Sequence, residues 1–493
     1  MLFAPELFLL LGSLAVFFIS TGRDCGKLAR TAAMLTALGG TLLCLATFCM
    51  QGDLFYGAYR IDLFSQMFKL FICLGLAIVL LVGTELKGVS NRVRPEYYLF
   101  MLLSVTGLVM LVSSVELIAI FIALELSSFS MYLLVPLRDD HDGLRIQMES
   151  AIKYILFGVV ATGIMLFGMS YMFGLTGTTH LAELLPRLHG MSSSPLAILA
   201  IAMTLGGFFF KLAVFPFHSW VPDVYQGASN ETTAFIASVP KIAAVALLIR
   251  ITSLSGIESG ALVTMLTILS VCSMFYGNLV ALVQTDIKRM LGFSGIAHAG
   301  YVLLGLVTLK DSGYAAAIYY IIGYMLMTLA GFAVICRVSA KGENLLVDDL
   351  SGLHKRSPLL ALTMATSMFA MAGIPPFVGF MGKFSLMTEA YRAGHLALVI
   401  VAAINTAIGI YYYLSVVKVT YSAEAGQRPV VTLDLTTKAL CIILVTFIIL
   451  LGILPSRIIE IAGSGKSDYV DQPNIKARTK ARRISHGGLL HMT

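Results

Sequence analysis

Apolar residues occur along this chain in long runs that short polar segments separate. Most runs reach about 17 to 25 residues, the length that an α-helix needs to cross a hydrocarbon core about 30 Å thick. The pattern therefore predicts an all-α integral membrane protein with about fourteen transmembrane helices. They are placed near residues 2–20, 32–50, 66–84, 97–114, 116–136, 152–174, 196–217, 233–250, 261–283, 291–309, 314–336, 359–388, 397–417 and 438–456.

The composition agrees with this segmentation. Hydrophobic residues make up 58% of the 493 residues and charged residues only 12%, and the mean hydropathy is +0.88. These values exclude an ordinary water-soluble fold. The N-terminal sequence MLFAPELFLLL has no lysine or arginine before its apolar run, so we expect it to remain as the first helix rather than to be a signal peptide.

The net charge of +7 could indicate a nucleic-acid partner, but most basic residues lie in the short connections between predicted helices. Cytoplasmic loops are enriched in lysine and arginine. The connections after odd-numbered helices hold most of these residues, which predicts that both termini face away from the cytoplasm. The connections after even-numbered helices hold only Arg60, Lys69, Arg187, Arg250, Lys310 and Arg392.

The residues after the last helix argue against that orientation. They carry further lysines and arginines, and such a basic tail would also suit anionic lipid on the cytoplasmic face. We keep the orientation given by the loops because late charges generally matter less than early ones.

Three lysines are left inside predicted helices: Lys211, Lys241 and Lys383. A charged side chain near the bilayer centre costs at least a few kcal/mol and usually faces a bundle interior or a water-filled path. Lys241 lies deepest, so we interpret it as functional rather than as half of a structural ion pair. Lys211 is close enough to a helix end for its amine to reach the interface, which leaves a structural interpretation open.

Helix-breaking residues accompany two of these lysines. Gly206 and Gly207 precede Lys211 and Pro216 follows it, while GIPPFVGFMG precedes Lys383. Discontinuous helices around a charged residue are typical of ion sites in transporters. We therefore predict that helices seven and twelve are broken.

Glu125 is the carboxylate placed deepest in a predicted helix. It can be a protonated, hydrogen-bonded acid, but pairing with a lysine is favoured because opposite charges can share a low-dielectric site. His218 and His298 are candidate relay residues, since imidazole titrates near neutral pH, although membrane histidines are as often packing residues. No further ligands stand at helical spacing from them, so no metal site is predicted.

Cofactor signatures are missing from the sequence. The seven cysteines form no CxxC pair, which supports neither an iron–sulfur site nor a disulfide framework. No glycine-rich nucleotide fingerprint follows a strand, and no flavin signature is present. We expect this chain to bind no cofactor itself.

The stretch GGFFFKLAVFPFHSWVPDVYQGASNETTAFIASVPKIAA, residues 206–244, resembles the signature region of the antiporter-like subunits of respiratory complex I and of multisubunit sodium/proton antiporters. DIKRMLGFSGIAHAGY and GIPPFVGFMGKF follow in the family's order, so the resemblance extends from about Tyr97 to Tyr413. The GKF at 382–384 resembles the N-type subunit of complex I, since the M-type usually has glutamate at the lysine position.

The resemblance implies two inverted five-helix repeats, helices four to eight and nine to thirteen, with Lys211 in the first broken helix and Lys383 in the second. The chain would then divide into an N-terminal three-helix segment, two repeats, a last helix and a basic, flexible tail. These segments are 1–96, 97–255, 256–421, 422–463 and 464–493.

The resemblance also implies proton translocation, and we hypothesise that Glu125, Lys211, Lys241, His298 and Lys383 form a hydrated polar axis for it. Glu125 would tune Lys211 by pairing, Lys211 and Lys241 would exchange a proton through water and histidine, and Lys383 would gate release. Redox chemistry in partner subunits would drive it, and those partners would bind NADH, FMN, iron–sulfur clusters and quinone. The neighbours would be other antiporter-like and small membrane subunits, in a bacterial inner membrane.

Two other functions stay open at this point. A subunit of a sodium/proton antiporter shares the GIPP and GK patterns and is the main alternative. A non-conducting scaffold is the other, which the retention of costly intramembrane charges disfavours.

Overall fold

The computed structural model describes residues 1–22, 25–139, 143, 145–191, 194–254, 260–422, 428, 430–456, 458–460 and 463. Within these ranges the chain forms eighteen α-helices and one two-stranded antiparallel sheet. The helices are α1 (Ala4–Ser20), α2 (Gly26–Ala46), α3 (Leu63–Val82), α4 (Arg94–Ser113), α5 (Leu117–Leu134), α6 (Ile146–Thr176), α7 (Leu181–His189), α8 (Pro195–Leu212), α9 (Val221–Gly227), α10 (Asn230–Leu254), α11 (Gly260–Ala281), α12 (Ile287–Val307), α13 (Asp311–Val338), α14 (Leu353–Arg356), α15 (Pro358–Ala372), α16 (Val378–Arg392), α17 (Leu396–Thr420) and α18 (Leu435–Ile453). The strands are β1 (Gly52–Leu54) and β2 (Tyr59–Ile61).

The number of membrane crossings matches the prediction. In the described part of the chain, 12 helices are long and apolar enough to cross a membrane, and α1 and α15 are shorter apolar helices. Since α15 and α16 are two halves of one interrupted span, α1 and this pair bring the total to the predicted fourteen. The all-α, multi-pass fold is confirmed.

Both predicted helix breaks are present. α8 ends at Leu212, the next residue Ala213 is left-handed with φ 68°, and the helix resumes as α9. α15 ends at Ala372, Gly373 follows with φ 85°, and α16 begins at Val378. Lys211 therefore lies in the last turn of α8, whereas Lys383 lies in the second turn of α16.

Three helices form the centre of the bundle. The most apolar stretches of α10 and α12 are 100% buried and that of α13 is 94% buried, whereas α2, α6, α11, α17 and α18 bury only 33% of theirs. A helix that is apolar all round and buried belongs to a core, and the others present one face to the lipid. A charge in the middle of α10, α12 or α13, such as Lys241, is thus held inside protein.

Some predicted boundaries differ from the structure. The hairpin of β1 and β2 and the helix α7 were not predicted, and α6 begins at Ile146, so Lys153 lies inside it rather than in a connection. The predicted segment boundary after residue 96 lies in the first turn of α4. The boundary after 255 and the tail 464–493 lie outside the described residues, and the division into segments stays a prediction.

Candidate functional site

Lys241 lies mid-way along α10 and is 1% exposed. Its Nζ donates to Tyr324 Oη of α13 at 3.1 Å and to the Gly295 carbonyl of α12 at 3.5 Å, and it lies 5.0 Å from the centre of the Tyr324 ring. Among the described residues, no carboxylate oxygen lies within 4.0 Å of this amine. A phenol, a carbonyl and an aromatic face therefore hold Lys241, and no ion pair locks it in the charged state.

Gly295 makes room for that arrangement. A Cβ atom at this position would lie 2.7 Å from Lys241 Nζ and 2.9 Å from Tyr324 Oη. Both separations are closer than a carbon atom tolerates, and the side chains concerned are themselves buried. Only glycine lets the amine and the phenol meet against the α12 backbone.

His298 lies one turn further along α12 and is 3% exposed. Its Nδ1 is 2.6 Å from Tyr320 Oη of α13, and its Nε2 is 3.0 Å from Tyr413 Oη of α17. Its ring packs 4.9 Å from the ring of Tyr324, the partner of Lys241. A neutral imidazole donates from one nitrogen and accepts at the other, so His298 can pass a proton between its two phenol neighbours.

Lys383 is bound to the end of a helix. Its Nζ donates to the carbonyls of Met371 at 2.9 Å and Ala372 at 3.3 Å, and lies 4.8 Å from the centre of the Tyr301 ring. The last carbonyls of a helix have no partner within the helix, and the negative end of the helix dipole favours a cation. The break between α15 and α16 thus supplies a cation site without a carboxylate.

Aromatic rings join these two lysines. The Tyr301 ring lies 6.3 Å from the rings of both His298 and Tyr320. We refer to the whole set as the polar line, which runs between the two buried lysines in the centre of the bundle. It consists of Lys241, Tyr324, His298, Tyr320, Tyr413, Tyr301 and Lys383.

Lys211 and Glu125 do not form the predicted ion pair. Lys211 Nζ donates to the hydroxyls of Ser128 at 3.0 Å and Ser127 at 3.4 Å on α5, while Glu125 accepts a bond from Thr162 of α6 at 2.8 Å. Among the described residues, no ion pair within 4.0 Å joins the two. Glu125 is only half-buried, because it lies on the outer face of α5 while the two serines face inwards.

His218 lies in the break between α8 and α9 and is 6% exposed. Its ring stacks on Phe215 at 5.3 Å and meets Tyr276 at 4.4 Å, and its Nδ1 is buried without a hydrogen-bond partner. It makes no hydrogen bond to Lys211 or Lys241. The structure therefore brings together Lys241, His298 and Lys383, and it leaves His218 apart from them.

The prediction that only three lysines lie inside helices is wrong. Lys69 lies in α3 and Lys288 in α12, and both are 0% exposed. Asp62 caps α3 by accepting a bond from the Ser65 backbone at 2.7 Å, so the helix begins at Leu63, ahead of the predicted start at 66. Glu125 is not the most buried carboxylate in the described chain, since Glu6 is 1% exposed.

The tyrosines were the functional candidates that sequence reasoning missed. Tyr320 and Tyr324 stand four residues apart on α13, in the run YYIIGY, and so share one face of that helix. Such a paired spacing of hydroxyl-bearing rings in a buried helix is a signal that could have found them. Tyr301 and Tyr413 carry no comparable signal.

The PDVYQGA segment holds the first broken helix in place. Asp223 Oδ2 lies 2.7 Å from Lys153 Nζ of α6, and its Oδ1 lies 2.8 Å from the Arg289 guanidinium of α12. Partial burial alone would raise the pKa of Asp223, but the hydrogen bonds from Lys153 and Arg289 outweigh it and hold that pKa below its usual range. α9 is therefore tied to both predicted repeats.

Residues 114–409 match the family described as NADH:quinone oxidoreductase/Mrp antiporter, TM. The chain is 52% identical over 459 residues to NADH-quinone oxidoreductase subunit N 2 of Opitutus terrae, covering 93% of this chain and 96% of that one. This chain belongs to the NADH-quinone oxidoreductase subunit N family. Another subunit N, from Nitrosomonas europaea, is 37% identical over 467 residues and covers 93% and 96% of the two chains.

Solved structures agree with membership of the subunit N family. A chain of respiratory complex I from Thermus thermophilus with bound aureothin has a TM-score of 0.81 at 30% identity, covering 93% of this chain and 99% of that one. A chain of the Mrp complex from Dietzia sp. has a TM-score of 0.85 at 21% identity, covering 94% and 97%, which shows a shared fold alone. The resemblance to the N-type subunit is confirmed.

Proposed function

We propose that this subunit N homologue is a proton-translocating membrane subunit of NADH:quinone oxidoreductase, and that protons pass between Lys241 and Lys383 along the polar line. The observation that carries the proposal is the position of His298, which is hydrogen-bonded on both ring nitrogens and lies between the two lysines. Buried lysines without carboxylate partners can exchange protons without first breaking an ion pair.

Each member of the line has a chemical part. Lys241 gives a proton to the Tyr324 hydroxyl at 3.1 Å while that phenol releases its own, and His298 moves a proton between Tyr320 and Tyr413. Among the described residues a ring contact of 4.9 Å rather than a hydrogen bond joins Tyr324 to His298, so the step between them requires these side chains to move. Tyr320 is connected to Lys383 through the ring of Tyr301, by ring contacts rather than by hydrogen bonds. The last transfer therefore requires the Lys383 amine to swing away from the end of α15, which its flexible four-carbon stem permits.

The energy for transport comes from partner subunits in this proposal. The residues of the polar line titrate but carry out no redox chemistry, so NADH, FMN, iron–sulfur clusters and quinone would be bound elsewhere in the complex. The redox energy would reach this chain as a conformational movement or as a change of charge at its surface. Glu125 is placed to receive such a charge, because the Lys211 amine reaches α5 one turn away at Ser128.

We propose that a neighbouring antiporter-like subunit covers the outer face of α5. Glu125 lies mid-helix on that face between Ile122 and Phe129, which are each 56% exposed. An ionisable side chain facing lipid is costly, whereas a polar or charged group on a partner would offset that cost. Small membrane subunits and lipid would cover the other exposed apolar faces.

The proposed location is the inner membrane of a bacterium, with both termini on the periplasmic side. The support for this orientation is the excess of lysine and arginine in the connections that follow odd-numbered spans.

Replacing Lys383 by methionine tests the proposed function. Methionine fills a similar volume but cannot hold a proton, so we expect NADH-driven proton uptake by inside-out vesicles to fall while assembly of the complex is unchanged. The measurement is the ratio of protons taken up to NADH oxidised, with and without sodium in the medium. A ratio that depends on sodium would favour the antiporter alternative, and an unchanged ratio in the assembled complex would contradict the role of Lys383.

Replacing Tyr413 by phenylalanine removes only the hydroxyl, which is bonded to His298 Nε2 at 3.0 Å and to the Ser294 hydroxyl. A lost hydrogen bond of this kind changes stability by about 1 kcal/mol. We expect a slower proton uptake per NADH with assembly retained. Tyr154→Phe is the matched control, since within the described chain the hydroxyl of that buried tyrosine hydrogen-bonds to Met131 Sδ alone, at 3.9 Å, and to no member of the polar line. Equal effects of the two changes would count against a relay through Tyr413.

A further inference from the structure

A second pair of buried charges lies in the N-terminal helices, apart from the polar line. Lys69 Nζ of α3 lies 2.5 Å from Glu6 Oε1 of α1, and the two side chains are 0% and 1% exposed. Both residues precede residue 114, where the match to the antiporter family begins. The pair therefore lies outside the residues that match that family.

Tyr59 of β2 completes the pair. Its hydroxyl donates to Glu6 Oε1 at 2.6 Å, and Lys69 Nζ lies 5.2 Å from the centre of its ring. Glu6 Oε1 thus has two partners, Lys69 and Tyr59, whereas Glu6 Oε2 is buried without a hydrogen-bond partner. Gln66 lies three residues before Lys69 on the same helix face, and its Oε1 is likewise buried without a hydrogen-bond partner.

Charged residues lead from this pair towards the surface. Asp53 and Arg60 pair at 2.8 Å across the hairpin, with side chains 31% and 19% exposed. Asp62, two residues after Arg60, pairs with Arg250 of α10 at 3.2 Å, with side chains 10% and 1% exposed. Side-chain exposure thus decreases from Asp53 and Arg60, through Asp62 and Arg250, to the buried pair.

Lys69 lies at nearly the depth of Lys241. Asp62 meets Arg250, and a Cβ built on Gly75 of α3 would meet Val239 of α10, so α3 and α10 run antiparallel. Interpolation between these contacts places Lys69 level with about residue 244, roughly 5 Å along the helix axis from Lys241.

A purely structural tie between α1 and α3 does not require charges. Desolvating two ions is expensive, and an apolar pair of similar volume often replaces a buried ion pair without loss of stability. Intramembrane charges mark ion and proton pathways far more often than they serve packing.

We propose that Glu6, Lys69 and Tyr59 form a second proton-exchange site that opens towards the surface carrying β1 and β2. The inference rests on the proposed function and extends it to the N-terminal segment. In the exchange, the Lys69 ammonium gives its proton to the Glu6 carboxylate, which leaves a neutral amine and a neutral acid. The proton moves along the 2.5 Å contact to Glu6 Oε1, and the acid then releases it towards the hairpin. A proton that returns by the same route restores the Lys69 ammonium and the Glu6 carboxylate.

The decisive variant is the double change Glu6→Leu with Lys69→Leu in the assembled complex. It removes both charges and leaves an apolar pair, so a structural tie survives while a proton site is lost. We expect normal assembly, loss of most of the proton uptake that this chain contributes per NADH, and a changed pH profile of that ratio. An unchanged ratio and pH profile in the assembled complex would overturn the proposal.

Two further arms make the outcome unambiguous. If the double variant fails to assemble, Tyr59→Phe and Glu6→Gln replace it as the test, because each keeps the packing. A lowered ratio of protons to NADH with an altered pH profile supports the site. A ratio and a pH profile equal to those of the parent complex overturn it. Lys241→Met is measured in parallel. A loss of proton uptake there, beside a normal ratio in the Glu6 and Lys69 variants, would reject the second site alone and leave the proposed function standing.

Discussion

Replacing Lys241 by methionine is expected to slow proton movement through this chain by about 100-fold or more, the lower end of what a positioned proton-transferring side chain contributes. Lys241 is the buried amine that faces Tyr324, so its loss removes one end of the polar line. Methionine keeps the volume and the apolar contacts of the lysine stem, whereas alanine would add a cavity that costs about 2 to 5 kcal/mol. The measurement is NADH-driven proton uptake together with coupled quinone reduction, and both should fall.

Lys418→Met is the matched control for this change. Lys418 is an exposed lysine in the last turn of α17, so the same loss of charge occurs away from the polar line. It should leave proton uptake and quinone reduction at the parent level. Unchanged uptake in an assembled Lys241→Met complex would end the case for a relay through this residue.

Gly295→Ala is expected to slow proton movement as Lys241→Met does, but without removing any titratable group. The added methyl group would stand 2.7 Å from Lys241 Nζ and 2.9 Å from Tyr324 Oη, so the amine and the phenol must leave their present positions. Proton transfer is sensitive to the distance between donor and acceptor, and a misplacement of about 1 Å can cost about 100-fold in rate. We expect proton uptake per NADH to fall strongly while the complex still assembles.

Gly163→Ala separates this effect from the general consequence of changing a helix glycine. Gly163 lies inside α6 with nothing within 4 Å of the added Cβ, so alanine should stabilise that helix by about 1 kcal/mol at most and leave transport unchanged. If Gly295→Ala behaves like Gly163→Ala, the close approach of Lys241 and Tyr324 has no part in transport.

Hydropathy predicted the spans well because the bilayer sets a single length for every crossing. Helix-breaking residues beside Lys211 and Lys383 likewise predicted the two breaks, since a proline in mid-membrane must be accommodated locally. These signals are local in the sequence. Lys241 was found in the same way, by its distance from either end of its apolar run.

Partners across helices could not be predicted in this way. The ion pair between Lys69 and Glu6 joins residues 63 positions apart, and an early helix start moved Lys69 from an expected helix end into the interior. Glu125 and Lys211 were expected to meet because opposite charges can share a low-dielectric site, yet the rotation of α5 turns Glu125 outwards and presents Ser128 instead. Rotation about the helix axis is set by packing, which hydropathy does not report.

The interruption between α15 and α16 makes the last turn of α15 depend on the proton that Lys383 carries. Lys383 holds the carbonyls of Met371 and Ala372, the last two residues of α15. Its charge stabilises that helix end, so the loss of a proton weakens the final turn and a returning proton rebuilds it. The backbone at the end of α15 therefore responds to the charge on Lys383. A change in that charge can be transmitted along α15 as a mechanical signal.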